Sequence, residues 1–312
     1  MIVRWGLDEL PAVRDELAIR EPLLVASERW SLPIDAAARW SEVPSHRVEE
    51  AAALAGDGVV AVGGGSAIDL GKAISAAAGV PLVSVPTTYA GAEWTTFYGV
   101  RDPDRRMRGG GRGANLGAIV YDVGLTLELP RAPTVGTAMN ALAHCAEALY
   151  VDGHNDAADE HALAGAHLIG GWLPRVVDAP HDRDAREQLL RGACHAGAAL
   201  GGAGLALAHA MAQAVGGRYG LPHGTLNGIC LPVALEWNEQ WAPDAVHRFR
   251  DAVGRDVAEL TALGGTTRLR ELGVPEADLP ELAEAAAGRA GNAANPRPAS
   301  ADEIEQLLRR AW

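Results

Sequence analysis

Short apolar runs that alternate with helix-like stretches fill the first 125 residues or so, and no such runs follow them. The runs are PLLVAS (22–27), GVVAVGG (58–64), PLVSVP (81–86) and GAIVYD (117–122). Each run ends in small or polar residues. This alternation is typical of a mostly parallel α/β sheet, and such sheets bind their ligands beyond the carboxyl ends of the strands.

The composition changes near residue 128, just after TLELP. From Leu129 onward, Ala, Leu, Glu and Arg dominate and runs of β-branched residues disappear. We therefore predict two domains, an α/β domain over 1–128 and an all-helical domain over 129–312. The pattern predicts helices near 136–150, 157–178, 183–201, 203–216, 225–239, 244–262, 279–289 and 301–311.

Charge and cysteine usage exclude several classes of protein. The chain has 312 residues, 48% of them hydrophobic, and a formal net charge of −13, which argues against electrostatic binding of nucleic acid or of an anionic membrane. Its three cysteines are widely spaced and predict neither a zinc ribbon nor a disulfide framework. Because the sequence shows no signal peptide and no apolar stretch of about 18 residues, we expect a cytoplasmic protein.

A triple glycine stands between a strand and a helix in VVAVGGGSAIDLGKAIS (59–75). Glycines allow positive φ angles and a close approach of a pyrophosphate, and the free N–H groups of a helix N-terminus bind phosphate oxygens. We expect Ser66 to cap this helix and Lys72 to add a mobile positive charge. The alternative is a tight turn without a ligand, but three successive glycines favour phosphate binding.

A second candidate loop, VPTTYAGAEWTTFYG (85–99), follows the next apolar run. Its hydroxyl groups suit the phosphate, ribose or amide of a cofactor, although threonines also serve the local backbone. The hydroxyl-bearing residues are Thr87, Thr88, Tyr89, Thr95 and Thr96.

Five separated motifs resemble the iron-containing alcohol dehydrogenase superfamily, which has the dehydroquinate synthase-like fold. They are GGGSAIDLGK, VPTTYAGAE, IVYDVGLTLELP, MNALAHCAEALY and GLPHG, in that order. The likeness runs from about residue 55 to the C-terminus, and residues 1–30 resemble the first strands. The chain is most similar to maleylacetate reductases, through PTTYAGAE, Asn140 and the tail ending in NPRP.

The resemblance implies an N-terminal dinucleotide-binding domain and a helical C-terminal domain, with the active site between them, in a homodimer. The implied reaction is hydride transfer from NADH or NADPH to the carbon–carbon double bond of maleylacetate, which gives 3-oxoadipate. Thr87 and Thr88 match the second cofactor loop, and Thr95 is a further candidate. The pyrophosphate loop is matched by Gly63, Gly64, Gly65, Ser66 and Asp69.

Three histidines match metal-ligand positions of the superfamily: His144, His209 and His223. At the fourth position, metal-dependent members carry Asp, whereas this chain has Asn140, one helical turn before His144. A neutral amide is a poor ligand for Fe²⁺ or Zn²⁺. The resemblance therefore implies catalytic roles for Asn140 and the three histidines, with a metal absent or weakly bound.

The chain also departs from the reductases. Gln213, a further catalytic candidate, stands where they show a histidine, and glutamine cannot titrate near neutral pH. Only 28 residues separate LLVASERW from VVAVGGGS, so the α/β domain is shortened near 31–55, beside the adenosine half of the cofactor. Ser27, where an acidic residue would hold a ribose hydroxyl, selects neither NADH nor NADPH. Trp94 either packs at the domain interface or reshapes the pocket.

A small anionic substrate would need cationic partners. Arg105 and Arg106, in the basic glycine-rich stretch 101–115, are candidates beside Tyr89 and Trp94, although this stretch could equally be an exposed loop. Two enzymatic functions remain open: a reductase of the maleylacetate type, and a drifted homologue that performs an isomerisation, elimination or cyclisation with weakened cofactor binding. A catalytically idle binding protein is disfavoured by the intact GGGSAID and GLPHG motifs.

Overall fold

A computed structural model describes all residues, 1–312, and divides them into two compact units. The first comprises residues 1–88 and 92–126, and the second comprises residues 89–91 and 127–312. The sequence prediction placed residues 89–91 in the first unit, whereas the structure assigns them to the second.

The first unit is built around a six-stranded sheet whose ladders are all parallel, in the order β1-β8-β5-β4-β2-β3. Its strands and helices are β1 (Ile2–Trp5), α1 (Leu10–Glu16), β2 (Leu23–Val25), β3 (Ala38–Trp40), α2 (Val48–Ala52), β4 (Val59–Gly63), α3 (Gly65–Ala78), β5 (Pro81–Pro86), β6 (Tyr98–Arg101), β7 (Met107–Gly111) and β8 (Asn115–Tyr121). Short 3-10 turns cover Leu7–Glu9, Ala92–Trp94 and Val123–Thr126.

The central strands are apolar on both faces because helices cover both faces. In β4, Val60 and Val62 pack with Leu10 and Val13 of α1, whereas Val59 packs in a second cluster with residues of α2 and α3. Parallel sheets require this double cover, which explains why β4 and β5 read as nearly continuous apolar runs. The four predicted strands are confirmed as β2, β4, β5 and β8.

The shortened region is more regular than the sequence suggests. Strand β3 pairs in parallel with β2, so the sheet keeps an edge strand that the sequence analysis did not predict. Helix α2, within HRVEEAAALAG, has only five residues, and residues 28–37 contain neither helix nor strand. Residues 31–55 therefore contribute one strand and one short helix to the first unit.

The stretch 101–115 is not the loop that its glycines predict. Strands β6 and β7 form an antiparallel hairpin, and Arg105 lies in its turn with a φ of 65°. Arg105 and Arg106 are exposed, and the backbone N–H of Arg106 donates to Asp102 Oδ1 at 2.9 Å.

The second unit is all helical, as predicted. Its α-helices are α4 (Arg131–Ala148), α5 (Asp156–Asp178), α6 (Arg183–Ala203), α7 (Leu207–Tyr219), α8 (His223–Asn238), α9 (Pro243–Val253), α10 (Val257–Ala262), α11 (Leu279–Ala287), α12 (Ala290–Ala293) and α13 (Ala301–Ala311). The single helix predicted over 244–262 is two, because the chain turns at Gly254 (φ 64°) and the Asp256 carboxylate then caps α10.

Helix α4 is the centre of this unit. Residues 138–148 are all buried, and the helix packs against α5, α6, α7 and α8. A helix surrounded on all sides has no polar face for water, so its polar side chains must find partners inside the protein. No single helix of the chain is long and apolar enough to cross a membrane, although α6 and α7 together reach that length and composition with a bend of 99° between them.

Candidate active site

The predicted glycine loop is the tight turn from β4 into α3, in which Gly64 alone lies between strand and helix. Gly63 ends the strand with a φ of 150°, and a Cβ on it would lie 2.6 Å from the Cβ of Ala67. No side chain caps α3, whose N-cap is Gly64, so the expectation that Ser66 caps the helix is wrong. The first N–H groups of α3 consequently remain available to an anion.

The second predicted loop adjoins this turn at the carboxyl end of β5. The backbone N–H of Thr87 donates to the carbonyl oxygen of Gly63 at 3.0 Å, and a Cβ on Gly64 would lie 3.0 Å from Thr88 Cγ2. The structure therefore brings Gly63, Gly64, Thr87 and Thr88 together. Their contact with a cofactor remains a prediction.

Lys72 is not a mobile charge. Its side chain is 1% exposed and pairs with Asp69 at 2.8 Å. The ammonium group also donates to Thr95 Oγ1 at 3.0 Å and to the carbonyl oxygens of Ala92 (2.8 Å) and Phe97 (2.6 Å). These bonds engage Thr95 and Asp69 inside the first unit, and the contacts of both residues with a cofactor remain predictions.

We expect Lys72→Met to destabilise the protein without loss of cofactor affinity. Removal of the ammonium group leaves a carboxylate and two carbonyl groups without their partner, which should lower the free energy of unfolding by about 3 kcal/mol. Chemical denaturation measures this change, and nicotinamide nucleotide titration provides the comparison. Unchanged stability with lost nucleotide affinity would instead support a phosphate contact.

Two aromatic residues of the second loop belong to different units of the chain. The Trp94 indole N–H donates to the Tyr121 hydroxyl at 2.8 Å, and this hydroxyl donates to Glu93 Oε1 at 2.7 Å, where burial raises the pKa of the carboxyl group. Tyr89 belongs to the second unit, is fully buried and accepts a hydrogen bond from Arg186 Nη1 at 3.1 Å. Tyr89 therefore packs in the interior of the second unit, and its role in substrate binding remains a prediction.

The three predicted histidines meet in the second unit. His144 of α4 stacks on His209 of α7 with ring centroids 4.8 Å apart, and His223, the first residue of α8, lies 5.6 Å from His209. His144 and His209 are buried, whereas His223 is half-buried.

Two asparagine side chains link this cluster. Asn140 Nδ2 donates to the carbonyl oxygen of Ala90 at 2.9 Å and lies 3.4 Å from His144 Nε2. Asn140 Oδ1 accepts from Asn227 Nδ2 at 2.6 Å, and that nitrogen also lies 3.0 Å from His223 Nε2. Because amide N–H groups only donate, the Nε2 atoms of His144 and His223 accept, which places the ring protons on Nδ1.

Glu147 holds His209. The fully buried carboxylate accepts from the backbone N–H groups of Ala206 (2.8 Å) and His209 (3.0 Å), and from His209 Nδ1 at 2.6 Å. With the ring proton on Nδ1, His209 Nε2 carries the lone pair, and this buried atom has no hydrogen-bond partner in the structure. A carboxylate in this position fixes the tautomer and stabilises the imidazolium form.

Asn227 and Glu147 were not predicted from the sequence. Each lies on the same helical face as a residue that was predicted: Asn227 is four residues after His223, and Glu147 is three residues after His144. Helical spacing therefore marked these two positions, although it does not show which residues of other helices they contact.

The buried His144 predicts acid sensitivity. Burial lowers its pKa well below 6.5, with a further contribution from His209 and His223. In the unfolded chain His144 becomes protonated near pH 6.5, whereas in the folded chain it stays neutral at that pH. The free energy of unfolding therefore falls as the pH drops below 6.5, by up to about 1.4 kcal/mol per pH unit for this group.

This stability is present above pH 6.5 and continues to be lost until the pH reaches the folded pKa of His144. Urea denaturation at several pH values tests the sign, and His144→Gln should flatten the profile. Substitution of His167, an exposed histidine of α5, is the control. An equal slope in wild type and His144→Gln would contradict the assignment.

Comparison with known proteins identifies the chain. The profile of the iron-containing alcohol dehydrogenase family matches residues 38–117, and the profile of the C-terminal part of the Fe-containing alcohol dehydrogenase family matches residues 134–312. The chain belongs to the iron-containing alcohol dehydrogenase family.

Reductases are among its similar relatives in this family. The chain is 38% identical over 269 residues to a maleylacetate reductase of Burkholderia cepacia. The aligned residues cover 84% of this chain and 76% of that protein. A solved maleylacetate reductase from Agrobacterium tumefaciens is 31% identical with a TM-score of 0.87, covering 100% of this chain and 95% of that one. An iron-containing alcohol dehydrogenase from Corynebacterium glutamicum is 29% identical with a TM-score of 0.89, covering 100% and 94%.

These matches confirm the predicted fold, and this member of the iron-containing alcohol dehydrogenase family is an oxidoreductase.

The side chains at the metal-ligand positions of the family do not fit a metal ion. The lone pairs of His144 Nε2 and His223 Nε2 face amide N–H groups, and Asn140 Oδ1 is bound to Asn227. Glu147 faces three N–H donors, and no group of three His, Cys, Asp or Glu side chains is arranged to hold a metal. This arrangement makes an amide-linked histidine cluster.

Gln213 occupies the next turn of α7 after His209. Arg289 donates to it twice, from Nη1 to the side-chain oxygen at 3.4 Å and from Nη2 to the backbone carbonyl at 3.1 Å. The amide oxygen of Gln213 is therefore directed to a guanidinium group, a contact that the sequence did not predict.

Proposed function

We propose that this chain is an NADH- or NADPH-dependent reductase that transfers a hydride to an activated C=C or C=O bond of a small anionic substrate of the maleylacetate type. The observation that carries the proposal is His209, whose Nδ1 is bound to the buried Glu147 and whose Nε2 has no partner. The identity to maleylacetate reductases supports the substrate class.

The glycine turn supports the cofactor. The backbone of Gly63, Gly64 and Gly65 and the uncapped N-terminus of α3 would hold the pyrophosphate, and the Thr87 and Thr88 hydroxyls would bind further polar groups of the dinucleotide. When bound, the reduced nicotinamide supplies the hydride.

His209 has the features of a proton donor for this reaction. Reduction of a C=C bond conjugated to a ketone adds one hydride and one proton, and the intermediate enolate places negative charge on the carbonyl oxygen. A proton on His209 Nε2 would make an imidazolium whose charge Glu147 balances at 2.6 Å. That ring could stabilise the enolate oxygen and then release its proton to the product, while Glu147 keeps the ring in place.

The second function, a non-redox step in a drifted homologue, draws support from two observations. Gln213 offers no titratable group one turn after His209, and residues 28–37 lack a helix in the dinucleotide-binding unit. Loss of nucleotide affinity would make redox chemistry impossible and would leave the histidine cluster to act on protons alone.

Fluorescence titration with NADH and NADPH separates the two functions, together with an assay of cofactor oxidation by maleylacetate. The reductase predicts nucleotide binding in the micromolar range and oxidation that depends on maleylacetate. Failure to bind either nucleotide would overturn the reductase proposal in favour of the non-redox function.

A further inference from the structure

Arg289 is a half-buried cation without an anionic partner. It precedes α12, and its side chain lies along α7, where the guanidinium group donates only to the two oxygens of Gln213. No carboxylate oxygen lies within 4.0 Å of its nitrogens, and its buried Nε atom has no hydrogen-bond partner. Burial alone lowers the pKa of Arg289, which is the direction expected for a charge that nothing balances.

Arg218, which lies on α7, has the anionic partners that Arg289 lacks. Its guanidinium group pairs with Asp278 at 3.2 Å and also with Glu281. Arg218 of α7 and Arg289 beside α7 thus differ in one respect, since carboxylates of the protein neutralise Arg218 and leave Arg289 unneutralised. A half-buried guanidinium that lacks a counter-ion gains free energy when a ligand supplies one.

Arg289 contacts a residue that lies one helical turn after His209, the proposed proton donor. Gln213, which it contacts, lies four residues after His209, so one helical turn, with a pitch of about 5.4 Å, separates the two positions along α7. A chain of a few carbon atoms spans that distance. A substrate whose carbonyl group contacts His209 could therefore place a terminal carboxylate against Arg289.

We propose that Arg289 binds a terminal carboxylate of the substrate, with Gln213 holding the guanidinium group in place. The inference deepens the proposed function and rests on it for the reaction. Arg289 thereby replaces the exposed Arg105 and Arg106 as the cation expected to recognise an anionic substrate.

A carboxylate contact at Arg289 would explain why a glutamine, and not a histidine, lies at position 213. A second imidazole at this position could become protonated and repel the guanidinium group. The glutamine oxygen accepts the Nη1 hydrogen bond at 3.4 Å without a charge of either sign. The guanidinium charge therefore stays available to a carboxylate.

The test uses the full chain in wild type, Arg289→Met, Arg289→Lys and the control Arg218→Met. Calorimetric titration with adipate, a stable dicarboxylate of similar length, measures binding without turnover, and steady-state kinetics with maleylacetate measure KM and kcat. We expect Arg289→Met to weaken adipate binding and to raise KM by about 100-fold, with kcat changed less than about threefold. Arg289→Lys should lose about tenfold, because lysine keeps the charge without the planar fork.

The outcomes separate this inference from the proposed reaction. Adipate binding that depends on Arg289, in a protein that oxidises neither nucleotide, supports the carboxylate site and contradicts the reductase. Activity with unchanged KM and adipate affinity in Arg289→Met overturns the inference, as does an equal loss in Arg218→Met. If Arg289→Met fails to fold, the neutral variant Arg289→Gln decides, and wild-type adipate affinity in that variant overturns the inference.

Discussion

Glu147→Gln is expected to reduce turnover by at least about 100-fold while the substitution leaves the side-chain volume almost unchanged. The carboxylate accepts three N–H groups, two from the backbone and one from His209 Nδ1. Glutamine has one acceptor oxygen, and its N–H₂ group would face a donor. His209 would then lose the fixed tautomer and the anion that stabilises its protonated form.

The same substitution should lower the free energy of unfolding by about 3 kcal/mol, because it leaves donors unpaired at a fully buried site. Glu187→Gln is the matched control, since Glu187 pairs with Arg191 one helical turn away at a half-exposed position, where we expect a change below about 0.5 kcal/mol. Assays below the unfolding temperature of Glu147→Gln separate the two effects.

Nitrogen-15 NMR of His209 provides a readout that general destabilisation would not change. Wild type should show the proton on Nδ1, and folded Glu147→Gln should show an altered tautomer. Wild-type turnover and an unchanged His209 spectrum in Glu147→Gln would contradict a positioning role for this carboxylate.

Gly63→Ala is expected to weaken nicotinamide nucleotide binding by at least about 100-fold. Gly63 has a φ of 150°, which side chains disfavour, and the new methyl carbon would lie 2.6 Å from Ala67 Cβ. The turn between β4 and α3 must shift to relieve this contact, and the N–H groups that would face the pyrophosphate must shift with it.

Gly79→Ala is the matched control, at the other end of the same helix. Gly79 also has a positive φ, 71°, but no atom lies within 4 Å of the place that a Cβ on it would occupy. Both substitutions carry backbone strain of about 1 kcal/mol, and only Gly63→Ala distorts the turn. Nucleotide titration of both variants tests the site, and equal affinity in Gly63→Ala and wild type would show that the pyrophosphate does not bind here.

The sequence predicted those parts of the fold whose signals are local. The runs that became β4 and β5 are buried on both faces and therefore apolar along their length, and the change at Leu129 marks the start of the helical unit. Strand β3 escaped prediction because Ala38–Trp40 is only three residues long and partly exposed at the sheet edge. Pairing with β2 stabilises it, and pairing depends on residues distant in the chain.

The sequence predicted the histidines of the candidate site but not the side chains that contact the site from other parts of the chain. Three histidines in family motifs marked the cluster, but Glu147 contacts His209 from another helix, 62 residues away. Arg289 reaches Gln213 from 76 residues away. Such contacts depend on how α4, α7 and the segment before α12 pack, which spacing along one helix cannot reveal.

For Lys72, the role predicted from the sequence, a mobile positive charge, is wrong. A lysine on the first turns of a helix behind a glycine turn suggested a phosphate contact, but helical geometry directs its side chain to the β5–β6 connection, where three oxygen atoms of the protein bind it. The sequence shows that a lysine is present, whereas only the packing shows that oxygen atoms of the protein already bind its ammonium group.

The most direct test of the reductase proposal is transfer of deuterium from cofactor to product. Enzyme is incubated with maleylacetate and reduced nicotinamide nucleotide in which deuterium replaces both hydrogens of the hydride-donating carbon, and the product is analysed by mass spectrometry and NMR. We predict one deuterium on a carbon of the former double bond, with one cofactor oxidised per product, and a large loss of this reaction in His209→Ala. Product without deuterium, or conversion of the substrate without cofactor oxidation, would contradict hydride transfer.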